Sequence, residues 1–146
     1  MKVRLIGALL AVLLLASCAT VPPSRQDEKV YEVIDLFNTL PAEEFAVYAG
    51  VPFLFGENVL STESDVIAVV ERVKESGLVI APEIVGEADA LSAPAGARFA
   101  VEVFYDRLPE DARLVIVEST AGELTLFLGG EAERLPQLMG IVRGRP

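Results

Sequence analysis

Residues 112–130 read ARLVIVESTAGELTLFLGG, and the way they pair decides how the chain can fold. Two runs of β-branched and large apolar residues flank Thr120, Ala121 and Gly122, the pattern of a β-hairpin. A two-residue turn of Ala121 and Gly122 would force a positive φ on alanine, which is unfavourable. A three-residue loop with Gly122 in the left-handed position avoids this and pairs Ser119 with Glu123. That register predicts Leu114, Ile116, Leu124, Leu126 and Leu128 on one face, and Val115, Val117, Thr125 and Phe127 on the other. Both faces are apolar. Helices can cover the first; the second predicts a further cover, such as the face of a homodimer or of another protein.

Working outward, RFAVEVFYD (98–106) alternates as a strand does, with Phe99, Val101, Val103 and Tyr105 against Ala100, Glu102 and Phe104. LVIAPEIVGEADALS (78–92) predicts a strand interrupted at Pro82 and Gly86, hence kinked, bulged or at an edge. Before it, Thr62 and Asp65 have capping-box spacing, and Val66, Ile67, Val69, Val70 and Val73 form a helical stripe that Gly77 closes. VPFLFGENVLS (51–61) predicts a small hairpin turning at Gly56 to Asn58. DEKVYEVIDLFNTL (27–40) predicts a helix with Val30, Val33, Ile34, Phe37 and Leu40 on one stripe. Pro41 stops it and opens a second short helix with Phe45 inward, ended by Gly50. The tail predicts either a last strand from Gln137 to Val142 or a docked coil. Residues 27–146 thus form a single α+β domain, with two or three helices on a curved antiparallel sheet.

This order of elements over residues 27–130 resembles the nuclear transport factor 2-like fold, in which a curved sheet wraps a conical pocket lined by helices; a cystatin-like helix on a sheet is the alternative. The resemblance implies that Tyr48, Phe53, Phe55 and Tyr105 line a pocket. Fold at this level assigns no activity.

At the amino terminus, Lys2 and Arg4 precede LIGALLAVLLL (5–15), eleven uncharged residues. A membrane-spanning helix needs roughly 20. A positive start, a short apolar run and small residues describe a secretory signal peptide over 1–17. Leu15, Ala16, Ser17 and Cys18 resemble the lipobox of bacterial lipoproteins. The resemblance implies lipid on the Cys18 sulfur, cleavage before it, and a cell-envelope location anchored in a membrane. Ala19, rather than aspartate, favours the outer membrane over the inner. Two or more acyl chains make a stable anchor where one holds only marginally. Residues 18–26 are then the lipidated terminus and a short tether whose ATVPPSRQ spans at most ~28 Å.

Without residues 1–17 the chain keeps 10 basic against 22 acidic residues, a formal charge of −12. That excludes nucleic acid as an expected partner, because such proteins need a basic footprint. The 146-residue chain contains no histidine and one cysteine. The commonest general base, Ser-His triads and the usual zinc sites are therefore ruled out. Tyr105 and Asp106 are adjacent, yet as strand neighbours they would point to opposite faces. Asp106, Glu110 and Asp111 match no calcium loop, and no glycine-rich stretch cradles a phosphate. The expectation is a non-enzymatic, lipid-anchored binding or interaction domain with no cofactor, metal or catalytic residue. The alternatives are a pocket enzyme using a carboxylate base on a small apolar substrate, and a cystatin-like inhibitor.

Overall fold

A computed structural model describes residues 24–89 and 92–146; Leu15, Ala16, Ser17 and Cys18 lie outside the described residues. In chain order the elements are α1 (Arg25–Thr39), α2 (Ala42–Phe45), a 3-10 turn (Ala46–Tyr48), β1 (Ala49–Phe55), β2 (Asn58–Leu60), α3 (Glu63–Glu75), β3 (Ile80–Ala88), α4 (Phe99–Asp106), β4 (Arg113–Ser119), β5 (Gly122–Ala132) and β6 (Leu135–Arg143). Among the described residues, four helices pack on a six-stranded open sheet of order β2-β1-β6-β5-β4-β3, so the class is α+β. The sheet is mixed rather than antiparallel, because β1 and β6 run parallel within it.

The local signals at helix ends act as expected. Thr62 accepts from the Asp65 N–H to open α3, and Gly77 takes φ +80° just beyond its end. α1 starts at Arg25 rather than Asp27, because Ser24 and Asp27 form a reciprocal capping box. The short second helix gives way to strand at Ala49, before Gly50. β3 is an edge strand with register shifts on both sides of Ile84, as its proline and glycine predict. Its start is held by Asn38, whose amide donates to the Ile80 carbonyl (2.8 Å) and accepts from the Ile80 N–H (3.0 Å). The Lys74 ammonium donates to the Phe37 carbonyl in the last turn of α1 and lies 4.9 Å over the Phe37 ring.

Residues 99–106 are a helix capped by Arg98, not a strand. Six of the nine residues there are apolar or aromatic, so an alternating reading and a helical one compete. The helix places Val101, Phe104 and Tyr105 inward and the two acids, Glu102 and Asp106, outward four residues apart. The tail adopts the strand alternative and extends it to Leu135–Arg143 between β1 and β5.

The β4–β5 register differs by one residue from expectation. Ser119 pairs with Gly122, and Thr120 with Ala121 makes the turn. Gly122 does take a left-handed φ of +97°. The turn is pinned from outside: Thr120 Oγ1 accepts from the Val79 N–H (3.0 Å), and the Thr120 N–H donates to the Val79 carbonyl (3.0 Å). Ser119 Oγ accepts from the Ala121 N–H (3.1 Å) and donates to the Gly122 carbonyl (2.7 Å). A slip of one residue exchanges the faces of a strand. Val115 and Val117 therefore join Leu124, Leu126 and Leu128 in the core beneath α1 to α3. Leu114 and Phe127 join Val101, Phe104 and Tyr105 in a second core beneath α4.

The four residues expected on a dimer face, Val115, Val117, Thr125 and Phe127, are thus divided between two faces, and each is fully buried within one chain. Thr125 spends its hydroxyl on the Gly144 carbonyl (2.6 Å). Gly129 and Gly130 lie within β5. A Cβ on Gly129 would sit 2.7 Å from Pro109 Cγ, so glycine there admits the α4–β4 connection.

Candidate functional site: a cleft beside helix α3

The stripe of α3 is wider than the core requires. Val66 and Val70 are buried, while Val69 and Val73 on the flank are only partly covered. That surplus flank forms one wall of a cleft of about 1090 Å3. The opposite wall is the β1–β2 hairpin, and the floor is the ends of β5 and β6, with Leu124 and Ile141 buried. Residues from Asp65 of α3 to its C-cap Ser76 border it, so the cleft runs along about 16 Å of helix. β6 outlasts its parallel neighbour: Gly56 N–H donates to the Ile141 carbonyl (3.1 Å), and then the hairpin turns away, leaving Val142 and Arg143 in the cleft wall.

Its charged groups are Glu57, Asp65, Arg72 and Arg143. Asp65 accepts from the Thr62 hydroxyl at 2.6 Å. Arg72 Nε donates to the Ala68 carbonyl (3.2 Å), which leaves the rest of its guanidinium free of backbone. Neither arginine takes part in an ion pair among the described residues.

Of the residues expected to line one pocket, Phe55 borders this cleft. Phe53 is fully buried in the larger core. Tyr48 packs on Phe45, and its hydroxyl donates to Glu133 (3.2 Å), a bond that raises the phenol above its ordinary pKa. Tyr105 lies on the other side of the sheet, edge-on to Phe104 and Phe127, where burial raises its pKa. The four aromatics do not meet. The centre of the helix–sheet interface is filled instead by Phe37, Phe45, Phe53, Val115 and Val117.

At the far end of the sheet, Arg113 Nη2 donates to Asp27 (2.9 Å) and to Glu87, tying α1, β3 and β4 together. A second hollow of about 180 Å3 opens beside it. Burial works against the Arg113 charge, and the two carboxylates more than offset it. The same contact holds Asp27 below its ordinary pKa. A depressed carboxylate stabilises the fold above its unfolded pKa of about 3.9 and loses that contribution as pH falls through the folded value. Both side chains are about a quarter exposed. Arg113→Met is therefore expected to cost roughly 1 kcal/mol at neutral pH, with the gap to wild type narrowing below pH ~4 in urea titrations.

Among the described residues no group of three potential metal ligands converges, and no helix is long and apolar enough to cross a membrane. No family model, no curated protein and no solved structure matches this chain.

Proposed function

We propose that this chain is a bacterial lipoprotein whose lipidated Cys18 holds a small binding domain at the cell envelope, in the outer membrane rather than the inner, and that the domain binds an apolar ligand in the α3 cleft without transforming it. The observation that carries the binding half is the cleft itself. Its volume lies just above the range of about 300–1,000 Å3 for small-molecule sites, and its walls are mainly aliphatic. The lining includes no tyrosine, and its two acids are a helix-capping aspartate and a turn glutamate. The Tyr48–Glu133 pair, which a carboxylate enzyme of this fold would want inside a cavity, borders neither hollow described above. The nuclear transport factor 2-like reading is supported by element order from α1 through β3 and by the β4–β5 pair, although α4 stands where a strand was expected and the space under the helices is packed.

The anchoring half rests on the run from Lys2 through Cys18, with the first helical cap among the described residues at Ser24, six positions further on. Cys18→Ser is expected to move the protein from the membrane pellet to the soluble fraction and to abolish palmitate incorporation. A variant that stays in the pellet with its labelling unchanged would overturn the anchor. Val115, Val117, Thr125 and Phe127 are buried within one chain, so a homodimer would have to use other residues.

A further inference from the structure

We propose that the α3 cleft takes its ligand, an uncharged apolar molecule, from the aqueous phase and not from the bilayer to which the domain is anchored. This route rests on the two readings above, lipid on Cys18 and ligand in the cleft, and adds how the site is supplied. What carries it is the polarity of the domain. α1 starts at one end of the sheet, where Asp27 in its first turn accepts from Arg113 at the start of β4 (2.9 Å). It finishes at the other end, where Asn38 holds Ile80, the residue paired with Ser119 at the last position of β4. Helix and strand thus measure one axis. The 15 residues of α1 span about 22 Å and the seven of β4 about 20 Å.

The cleft belongs to the far end of that axis. Ser76 and Leu78, which lead into β3, border it, as do Ala121 and Leu124 at the β4–β5 turn and just past it. Cys18 lies six positions before the Ser24 cap, at the near end. A bilayer holding acyl chains on that sulfur is therefore separated from the cleft by the length of the domain. Lying flat would bring more of the formal charge of −12 (10 bases against 22 acids beyond residue 17) against anionic headgroups, which repel it. The hollow that opens at the near end is about 180 Å3 against about 1090 Å3 for the cleft, and Lys29, Asp111, Arg113 and Glu131 border it. A lipid tail rising from the bilayer would meet charge there. The cleft itself favours neither sign: Arg72 and Arg143 stand against Glu57 and Asp65 around the buried Leu124 and Ile141. That balance suits an uncharged occupant.

The test uses the lipidated full-length chain on phosphatidylcholine vesicles, with the neutral fluorophore N-phenyl-1-naphthylamine as probe. The probe is loaded into vesicles that carry a nitroxide-lipid quencher, so its fluorescence rises as it leaves for the cleft. The protein sits either on those vesicles or on separate probe-free ones. The same chain with Val69→Glu, which puts a charge in the cleft wall, is subtracted in each case. Supply through water predicts the same rate in both arrangements, set by the escape of the probe from lipid. A faster rise when protein and probe share a vesicle would overturn the aqueous route while leaving the cleft as a binding site. No rise, or one that Val69→Glu does not reduce, would overturn the cleft reading, and a chain that washes off the vesicles would overturn the anchor; the route falls with either. Orientation is read independently from one added thiol, the single free one once Cys18 is lipidated. A fluorophore on Glu131→Cys, at the near end, should be quenched by nitroxide lipid, and one on Ala121→Cys, at the cleft, should not. Equal quenching at the two exposed positions would overturn the polarity on which the route depends.

Discussion

Phe127→Ala is expected to destabilise the domain by about 4 kcal/mol, in the range for truncating a fully buried phenylalanine. That is a large share of the 5–15 kcal/mol by which a domain of this size is stable. Phe127 is 0% exposed at the middle of β5, and it meets Phe104 at 5.8 Å and Tyr105 at 5.5 Å in edge-on contacts. Truncation removes the surface on which α4 docks and leaves a cavity between helix and sheet. Chemical denaturation gives the magnitude. The loss should be independent of protein concentration, because the partners of Phe127 belong to its own chain. A concentration-dependent loss would restore the dimer face that hairpin patterning suggests. Phe99→Ala provides the contrast: at 79% exposed on the first turn of the same helix, it should change stability by less than ~0.5 kcal/mol.

Gly140→Ala, the second large effect, acts through backbone spacing. A Cβ at Gly140 would lie 2.8 Å from the Leu54 carbonyl oxygen and 2.9 Å from Leu54 Cβ. Leu54 is the residue paired with Gly140 across the parallel β1–β6 ladder, and its side chain is fully buried. Neither strand can retreat, since β1 is held by β2 on its other edge and β6 by β5. The expected cost is about 3 kcal/mol, the upper end for overpacking a core. Hydrogen exchange should show the largest loss of protection in β1 and β6. Gly86→Ala tests the reasoning, because a Cβ there would meet only Ile116 Cδ1 at 3.5 Å, an ordinary contact. If the two substitutions cost the same, close approach of β1 and β6 is not what requires Gly140.

The cleft was partly legible in advance. Five apolar residues on α3, from Val66 to Val73, exceed what one buried face consumes, and the surplus at Val69 and Val73 is the wall. Arg72 and Arg143 carried no such signal. They are 71 positions apart and come to one cleft only because β6 returns to the centre of the sheet and outlasts β1. The expected aromatic pocket failed for a related reason. On a strand facing the helices Tyr105 would line that pocket; because residues 99–106 form a helix, it belongs to the opposite side of the sheet.

What the amino acids determined unaided lies where a feature is closed by residues a few positions apart. The Thr62–Asp65 cap, the stop at Gly77, the turn at Gly56 and Glu57 and the broken edge strand with Pro82 and Gly86 are of this kind. Tertiary structure alone decided three matters: whether 98–106 coils or extends, which face β4 presents, and where β6 sits. In each of these the local alternatives were close in energy, and a distant partner broke the balance. Phe127 gives α4 its buried contact, Val79 pins Thr120 and so sets the hairpin register, and Leu54 admits β6 because position 140 has no side chain.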